Sequence, residues 1–111
     1  MEKILKFTPE LTQLIKDGSK TVTIRFFDDK NLTVGDKIIL ATRDGDKVTN
    51  FGKAKIEKIT IKTIETLTDE DFVGHERVED PLMYYRKYYG NKVKINTEVK
   101  IIKLKDIKID T

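Results

Sequence analysis

The chain contains no cysteine and no tryptophan, and its 111 residues include one histidine, His75, and two prolines. Without cysteine there is no disulfide, no thiolate metal site and no cysteine nucleophile. A single histidine also argues against a zinc site of the usual Cys/His type. Any nucleophile must therefore be a lysine, a serine or threonine hydroxyl, or a carboxylate, and we expect neither a metal nor a cofactor.

The sequence also lacks long apolar stretches. No run of about 18 apolar residues occurs, so we expect no transmembrane helix, and the N-terminal residues lack the apolar core and cleavage site of a signal peptide. Together with the absence of cysteine, this predicts a cytoplasmic protein with no membrane partner. The length fits one domain, residues 1–111, as a monomer or weak dimer.

Charge is nearly balanced overall, with a formal net charge of +3, but it is unevenly distributed. Residues 65–80 are mainly acidic, and residues 86–108 are mainly basic. A basic segment beside an acidic one fits an anionic partner bound near a carboxylate-bearing cleft. Two solvated faces of an ordinary surface would give the same pattern.

Hydrophobic periodicity and turn residues predict an α+β fold. One helix starts at Thr8-Pro9 and ends at Gly18, and a second runs from Leu82 to Tyr89 after Asp80-Pro81. Thr68 to Asp71 predicts a further short helix or turn. Alternating, β-branched segments predict five or six strands, at Lys3–Phe7, Ser19–Phe26, Ile38–Ala41, a bent Phe51–Ile61, Val93–Ile95 and Val99–Leu104. We expect a small, closed or nearly closed β-barrel with two to three flanking helices.

The densest group of chemically capable residues follows the first helix, in Gly18-Ser19-Lys20-Thr21-Val22-Thr23-Ile24-Arg25. In a regular strand Thr21, Thr23 and Arg25 share one face. An arginine among hydroxyls suits a phosphate, a carboxylate or a nucleobase edge. We therefore predict substrate-binding roles for Ser19, Thr21 and Arg25. An exposed strand with ordinary polar residues is the alternative.

The order of these elements resembles the ASCH domain of the PUA-like superfamily. A helix is followed by Gly18-x-Lys20-x-x-x-x-Arg25, a strand, a loop, Val34-Gly35-Asp36-Lys37 and another strand, and the resemblance covers roughly residues 8–104. The family signature often has Glu where this chain has Thr23. With Thr23 at this position, and with the segment from Glu65 to Glu70, the chain resembles the branch of the family that includes a small bacterial N(4)-acetylcytidine amidohydrolase.

That resemblance implies a PUA-like barrel and a set of catalytic residues. Lys20 and Thr23 match the lysine and threonine of the amidohydrolase motif, and Glu76 is our first choice for its glutamate, with Glu70 and Glu79 as alternatives. The implied function is hydrolysis of an N(4)-acylated cytidine or a related modified pyrimidine nucleoside. A non-catalytic RNA- or nucleotide-binding module is the alternative, and a ribonuclease is a third, less favoured one. The expected partners are RNA or a modified nucleoside.

Strand geometry sets a condition on this site. Strict alternation places Lys20 on the face opposite Thr23. The two side chains share a cleft only if Lys20 precedes the paired part of the strand, or if a bulge separates them.

All four tyrosines lie in the second predicted helix, at positions 84, 85, 88 and 89. One pair is expected to pack on the barrel, and the other, with Arg86, to offer a platform for stacking a base. We assign Tyr84 and Arg86 to substrate binding on this basis, although aromatic residues at helical spacing also suit a core. His75 lies among acids, which favour its charged form. We expect it at the surface and give it no role.

Overall fold

The computed structural model describes residues 3–27 and 30–110. Within these ranges the chain forms five strands and two α-helices, namely β1 (Lys3–Phe7), α1 (Pro9–Lys16), β2 (Val22–Phe26), β3 (Lys37–Asp44), β4 (Lys47–Thr63), α2 (Pro81–Tyr89) and β5 (Glu98–Ile109). Short 3₁₀ turns lie at Ile64–Thr66, Asp69–Phe72 and Gly90–Lys92. None of these helices is long and apolar enough to cross a membrane. The predicted α+β fold is confirmed.

The strands form one sheet in the order β1-β3-β4-β5-β2. β1 pairs with β3 in parallel, and the other pairs are antiparallel. The register between β4 and β5 shifts between Lys53 and Lys55 and again between Ile56 and Lys58. Because bulges bend a strand and increase its twist, the sheet curls into a half-barrel. Among the described residues β1 and β2 remain edge strands and share no ladder, which leaves a gap between them.

Both helices begin and end where the sequence predicts. The Thr8 side chain accepts a hydrogen bond from the Leu11 N–H at the start of α1, and Asp80 caps α2 by accepting from the Met83 N–H. A proline follows each cap, because its missing N–H costs nothing in the first helical turn. Gly18, with φ +85°, turns the chain back from α1 towards β2.

Two hydrophobic clusters lie on opposite faces of the sheet. One contains Ile102 and packs the inner faces of β1, β3 and β4 against α1. The other contains the neighbouring residue Ile101 and packs β2 against α2 through Tyr85. Since successive residues of a strand point to opposite faces, the two helices cover different sides of the sheet.

Two strand predictions require correction. The strand predicted from Ser19 begins only at Val22, and the one predicted at Val93–Ile95 does not form. In that segment the Lys94 N–H donates to Thr97 Oγ1 (2.7 Å) and the Thr97 N–H donates to the Lys94 carbonyl (3.0 Å). This local turn uses the backbone groups that a strand would need. Val93 is buried in the cluster that contains Tyr85 of α2, so this apolar residue fixes the turn to the helix and does not belong to a strand.

Candidate functional site

A cavity of about 100 Å³ lies at the gap between the two edge strands. β1 contributes Phe7 to its lining, and β2 contributes Thr23 and Arg25. The segment before α2 contributes Glu76, and α2 contributes its four tyrosines. We call this space the seam cavity. It exists because the sheet does not close at this point.

Lys20 points into the seam cavity from the turn that precedes β2. Its N–H donates to the Leu14 carbonyl (3.1 Å), so residue 20 still belongs to the helix-to-strand turn. The side chain is only 2% exposed, and Nζ donates to the Val22 carbonyl (2.8 Å) and to Glu76 Oε1 (2.5 Å). The first of the two conditions set by strand alternation is therefore met. Lys20 and the buried Thr23 line the same cavity.

Glu76 reaches Lys20 because Gly74 anchors its loop to the start of β2. The Gly74 carbonyl accepts hydrogen bonds from the Thr21 N–H (2.7 Å) and the Val22 N–H (2.9 Å). Gly74 has φ +81°, and a Cβ at this position would lie 2.5 Å from Thr21 Oγ1. Only glycine fits this close approach without rearrangement. The carboxylate two residues later is thereby brought against the lysine.

The Glu76 carboxylate is surrounded by donors. Oε1 faces Lys20 Nζ and lies 3.1 Å from His75 Nδ1, and Oε2 accepts from the Tyr84 hydroxyl (2.8 Å). Burial raises the pKa of this carboxyl, but the charge and hydrogen bond of Lys20 outweigh burial, so that its pKa is lowered overall. Burial lowers the pKa of the Lys20 ammonium, against the opposing attraction of Glu76. Glu76 is thus held as an anion, while Lys20 becomes a stronger acid than free lysine.

Arg25 connects the two edges of the sheet. Its Nη2 donates to the Lys6 carbonyl (2.8 Å), and the guanidinium lies over the Phe7 ring at 4.6 Å. Its Nε is buried and has no hydrogen-bond partner among the described residues. A buried donor without a partner is costly. The cavity therefore offers a ligand one unused hydrogen-bond donor beside an aromatic wall.

No group of three or more His, Asp or Glu side chains in residues 3–27 and 30–110 is placed to hold a metal ion. The polar groups that line the seam cavity are two amines, two threonine hydroxyls, an imidazole, a carboxylate, a guanidinium and four phenols. Such a set can exchange protons and donate hydrogen bonds to a carbonyl.

The architecture matches several solved structures. ASCH from Zymomonas mobilis superimposes with a TM-score of 0.73 at 21% identity, over 97% of this chain and 69% of that chain. A protein from Enterococcus faecalis V583 gives 0.75 at 13% identity, over 96% and 77%. The ASCH domain from Lactobacillus crispatus JV V101 gives 0.65 at 11% identity, over 98% and 80%. The chain has the ASCH-domain fold. No family model and no curated protein matches its sequence.

Within this ASCH fold, four of the predicted site residues line the seam cavity with Lys20, namely Thr23, Arg25, Glu76 and Tyr84. The two alternative glutamates lie elsewhere. Glu70 is exposed beside a second depression, and Glu79 is exposed and pairs with Arg77 at 3.7 Å. Glu76 is the carboxylate that meets Lys20.

Three other predicted binding residues lie outside the cavity lining. Ser19 is exposed, with its N–H on Asp17 Oδ1 (2.8 Å). Thr21 packs against Gly74, and Arg86 donates from Nε to the Val93 carbonyl (2.9 Å), where it holds the turn after α2. Their contacts support the fold around the seam cavity.

His75 is the cavity residue whose position the sequence analysis missed. Its side chain is 2% exposed, not at the surface as expected. Burial, reinforced by the nearby Lys20 charge, lowers its pKa to about 4, which is opposite to the effect expected from its acidic neighbours in sequence. The sequence does place His75 directly between Gly74 and Glu76, so a buried Glu76 side chain could have indicated that the histidine lies beside it.

Proposed function

We propose that the seam cavity hydrolyses the amide bond of an N(4)-acylated cytidine or a related acylated pyrimidine nucleoside. The observation that carries this proposal is a buried lysine amine paired with a carboxylate in the same cavity as a buried threonine hydroxyl. Acyl transfer needs a base, a group that orients the base, and a hydroxyl beside the reacting atom.

In the proposed reaction Lys20 acts in its neutral form, which burial makes more accessible. It accepts a proton from a water molecule held by the Thr23 hydroxyl while the water oxygen bonds to the acyl carbon. The resulting ammonium, stabilised by Glu76, then passes the proton to N4 of cytosine as the C–N bond breaks. One water molecule is consumed, and the products are cytidine and a carboxylic acid.

The size of the seam cavity supports a small acyl substrate. Its volume of about 100 Å³ is smaller than the roughly 150 Å³ cavity that holds benzene. An acyl group and one edge of the pyrimidine can enter, while the ribose stays outside. The unpartnered Arg25 Nε suits a carbonyl oxygen of the base or of the acyl group.

The proposal is tested by incubating the protein with N(4)-acetylcytidine and measuring cytidine release by chromatography. We expect release by the wild type and a loss of about 10²–10⁴-fold in Lys20→Ala, the usual contribution of a general base. Lys62→Ala is the matched control, because Lys62 pairs with Asp71 at 2.8 Å and does not line the cavity. Its rate should stay within about twofold of the wild type, as expected for an ion pair remote from the reaction.

Absence of cytidine from the folded wild type, or equal release by Lys20→Ala, would remove the enzymatic proposal. Wild-type protein that binds N(4)-acetylcytidine without turning it over would instead be a nucleotide-binding module that uses the same cavity.

A further inference from the structure

His75 is a buried titratable group for which the proposed reaction has no use. Its ring packs edge-on against Phe72, with 5.4 Å between centroids, and its side chain is almost fully buried. Nδ1 lies 2.8 Å from the Glu76 carbonyl oxygen and 3.1 Å from Glu76 Oε1. Nε2 lies 3.4 Å from the Tyr85 hydroxyl. Both ring nitrogens therefore have a polar neighbour, and Nδ1 binds the backbone of the residue whose carboxylate holds Lys20.

These contacts define the tautomer. A carbonyl and an ionised carboxylate are acceptors only, so the proton of a neutral imidazole must lie on Nδ1. Nε2 is then an acceptor and faces a hydroxyl, which can donate. With its pKa lowered to about 4, the ring is neutral at ordinary pH. His75 thus brings one N–H to Glu76 without adding a charge to the cavity.

We propose that His75 is a positioning residue for the Lys20–Glu76 pair, because its Nδ1–H binds the Glu76 backbone carbonyl and its Nδ1 lies 3.1 Å from Oε1, the oxygen that accepts from the lysine ammonium. This inference deepens the proposed function and rests on it for its catalytic meaning. The positive end of the N–H dipole beside Oε1 weakens the attraction of that oxygen for the ammonium. Without the imidazole N–H, Oε1 attracts the ammonium more strongly, and Lys20 becomes a weaker acid and less often neutral.

Other groups around Lys20 act on the same equilibrium. Arg25, on β2, opposes the ammonium charge, whereas Glu76 favours it. The remaining titratable groups of the cavity lining are Lys6 from β1 and Tyr84, Tyr85, Tyr88 and Tyr89 from α2. A substitution at residue 75 replaces none of these side chains, and of this group the Tyr85 hydroxyl is the one 3.4 Å from Nε2.

The experiment follows the titration of Lys20 by the NMR signal of its ¹³Cε in the wild type, His75→Phe and His75→Asn. Phenylalanine keeps a ring but has no donor, whereas asparagine keeps an N–H donor but loses the ring. We expect the Lys20 pKa to rise by about half a unit in His75→Phe, which is the lower end of what one hydrogen bond contributes. It should stay close to the wild-type value in His75→Asn.

An unchanged Lys20 pKa in folded His75→Phe would overturn the proposal. A rise only in His75→Asn would overturn it as well, because it would show that the packing of the ring, and not its N–H, sets the Lys20 pKa. This readout needs no turnover, so it stands apart from the test of the proposed function. If the wild type hydrolyses N(4)-acetylcytidine, the acidic limb of kcat/KM should move to higher pH in His75→Phe and not in His75→Asn.

Discussion

At the scale of single residues, the site is defined by how one buried ion pair is kept in place. Removing Lys20 and Glu76 from water carries a desolvation cost that attraction offsets only when other hydrogen bonds complete both partners. Here the ammonium has the Val22 carbonyl as a second acceptor, and the carboxylate has the Tyr84 hydroxyl as a second donor, with His75 Nδ1 3.1 Å from Oε1. The pair is therefore built into a hydrogen-bond network that fixes its geometry.

The buried imidazole makes stability depend on pH. Its pKa falls from 6.5 to about 4 on folding, so below pH 6.5 the unfolded chain binds a proton that the folded chain does not. Stability must then decrease as the pH falls. We expect the free energy of unfolding, measured in urea, to drop by about 2 kcal/mol between about pH 7.5 and about pH 5.

His75→Phe should remove most of that decrease, since it removes the titrating group. The folded-state carboxyls with lowered pKa values, at Asp17, Asp36, Asp71 and Glu76, lose their contribution only below their ordinary pKa values of 3.8 to 4.5. They do not interfere in this window. A His75→Phe variant with the same slope as the wild type would contradict the assignment.

Sequence reasoning identified Lys20, Thr23 and Glu76 as partners but not His75. A motif names residue types at fixed spacing, and the lysine and threonine fit that description. Whether a histidine is buried depends on the packing of Phe72 and α2 around it, which no local pattern encodes. The same holds for Arg86, whose contact with the Val93 carbonyl follows from a turn that the sequence analysis had predicted as a strand.

At the scale of secondary-structure elements, the outer faces of the inner strands carry an unusual row of like charges. Lys55 on β4 lies in register with Lys37 on β3 and with Lys105 on β5. Lysine often protects exposed sheet edges, and that role fits Lys37 and Lys105, because the ladders of β3 with β1 and of β5 with β2 do not reach them. It does not fit Lys55, which is paired on both sides. Like charges directly opposite each other destabilise a sheet. Asp106, exposed beside this row, offsets part of the repulsion.

Replacing the central lysine of this row should stabilise the protein. We expect Lys55→Glu to raise the free energy of unfolding by about 1 kcal/mol, because two repulsive cross-strand pairs become attractive. Urea denaturation at low salt measures the gain, which should shrink as salt screens the charges. Lys47→Glu is the control on the same strand, since Lys47 faces Asp44 and loses an attractive partner. Equal effects of the two substitutions would show that net charge, not register, is responsible.

Most elements followed from local rules. Caps and prolines located both helices to within two residues. Errors arose where backbone hydrogen bonds to distant segments decide the outcome. The N–H groups of Thr21 and Val22 bond to the Gly74 carbonyl, so pairing of β2 with β5 starts only at Val22, later than the β-branched pattern predicts.

At the scale of the whole molecule, the gap in the half-barrel and the candidate site are the same feature. The sequence indicated a barrel and its strands but could not show how far the sheet closes, since closure depends on strand tilt and bulges summed over the whole sheet. In the structure a side chain, not a ladder, spans the gap. Arg25 reaches from β2 to the Lys6 carbonyl of β1 and covers the Phe7 ring.

If Arg25 holds the edges together, its loss should loosen β1 more than the rest of the sheet. We expect Arg25→Gln to speed amide hydrogen exchange in residues 3–7 by about fivefold, which corresponds to about 1 kcal/mol. This is below the range for a hydrogen bond to a charged group, because β1 keeps its ladder with β3. Exchange in β4 and β5 should not change. Arg43→Gln is the matched control, because the exposed Arg43 donates from Nε to the Gly45 carbonyl of its own hairpin, at 3.3 Å. Equal exchange of β1 in the wild type and Arg25→Gln, measured by mass spectrometry, would mean that the β3 ladder and α1 keep the edge strand in place without the guanidinium.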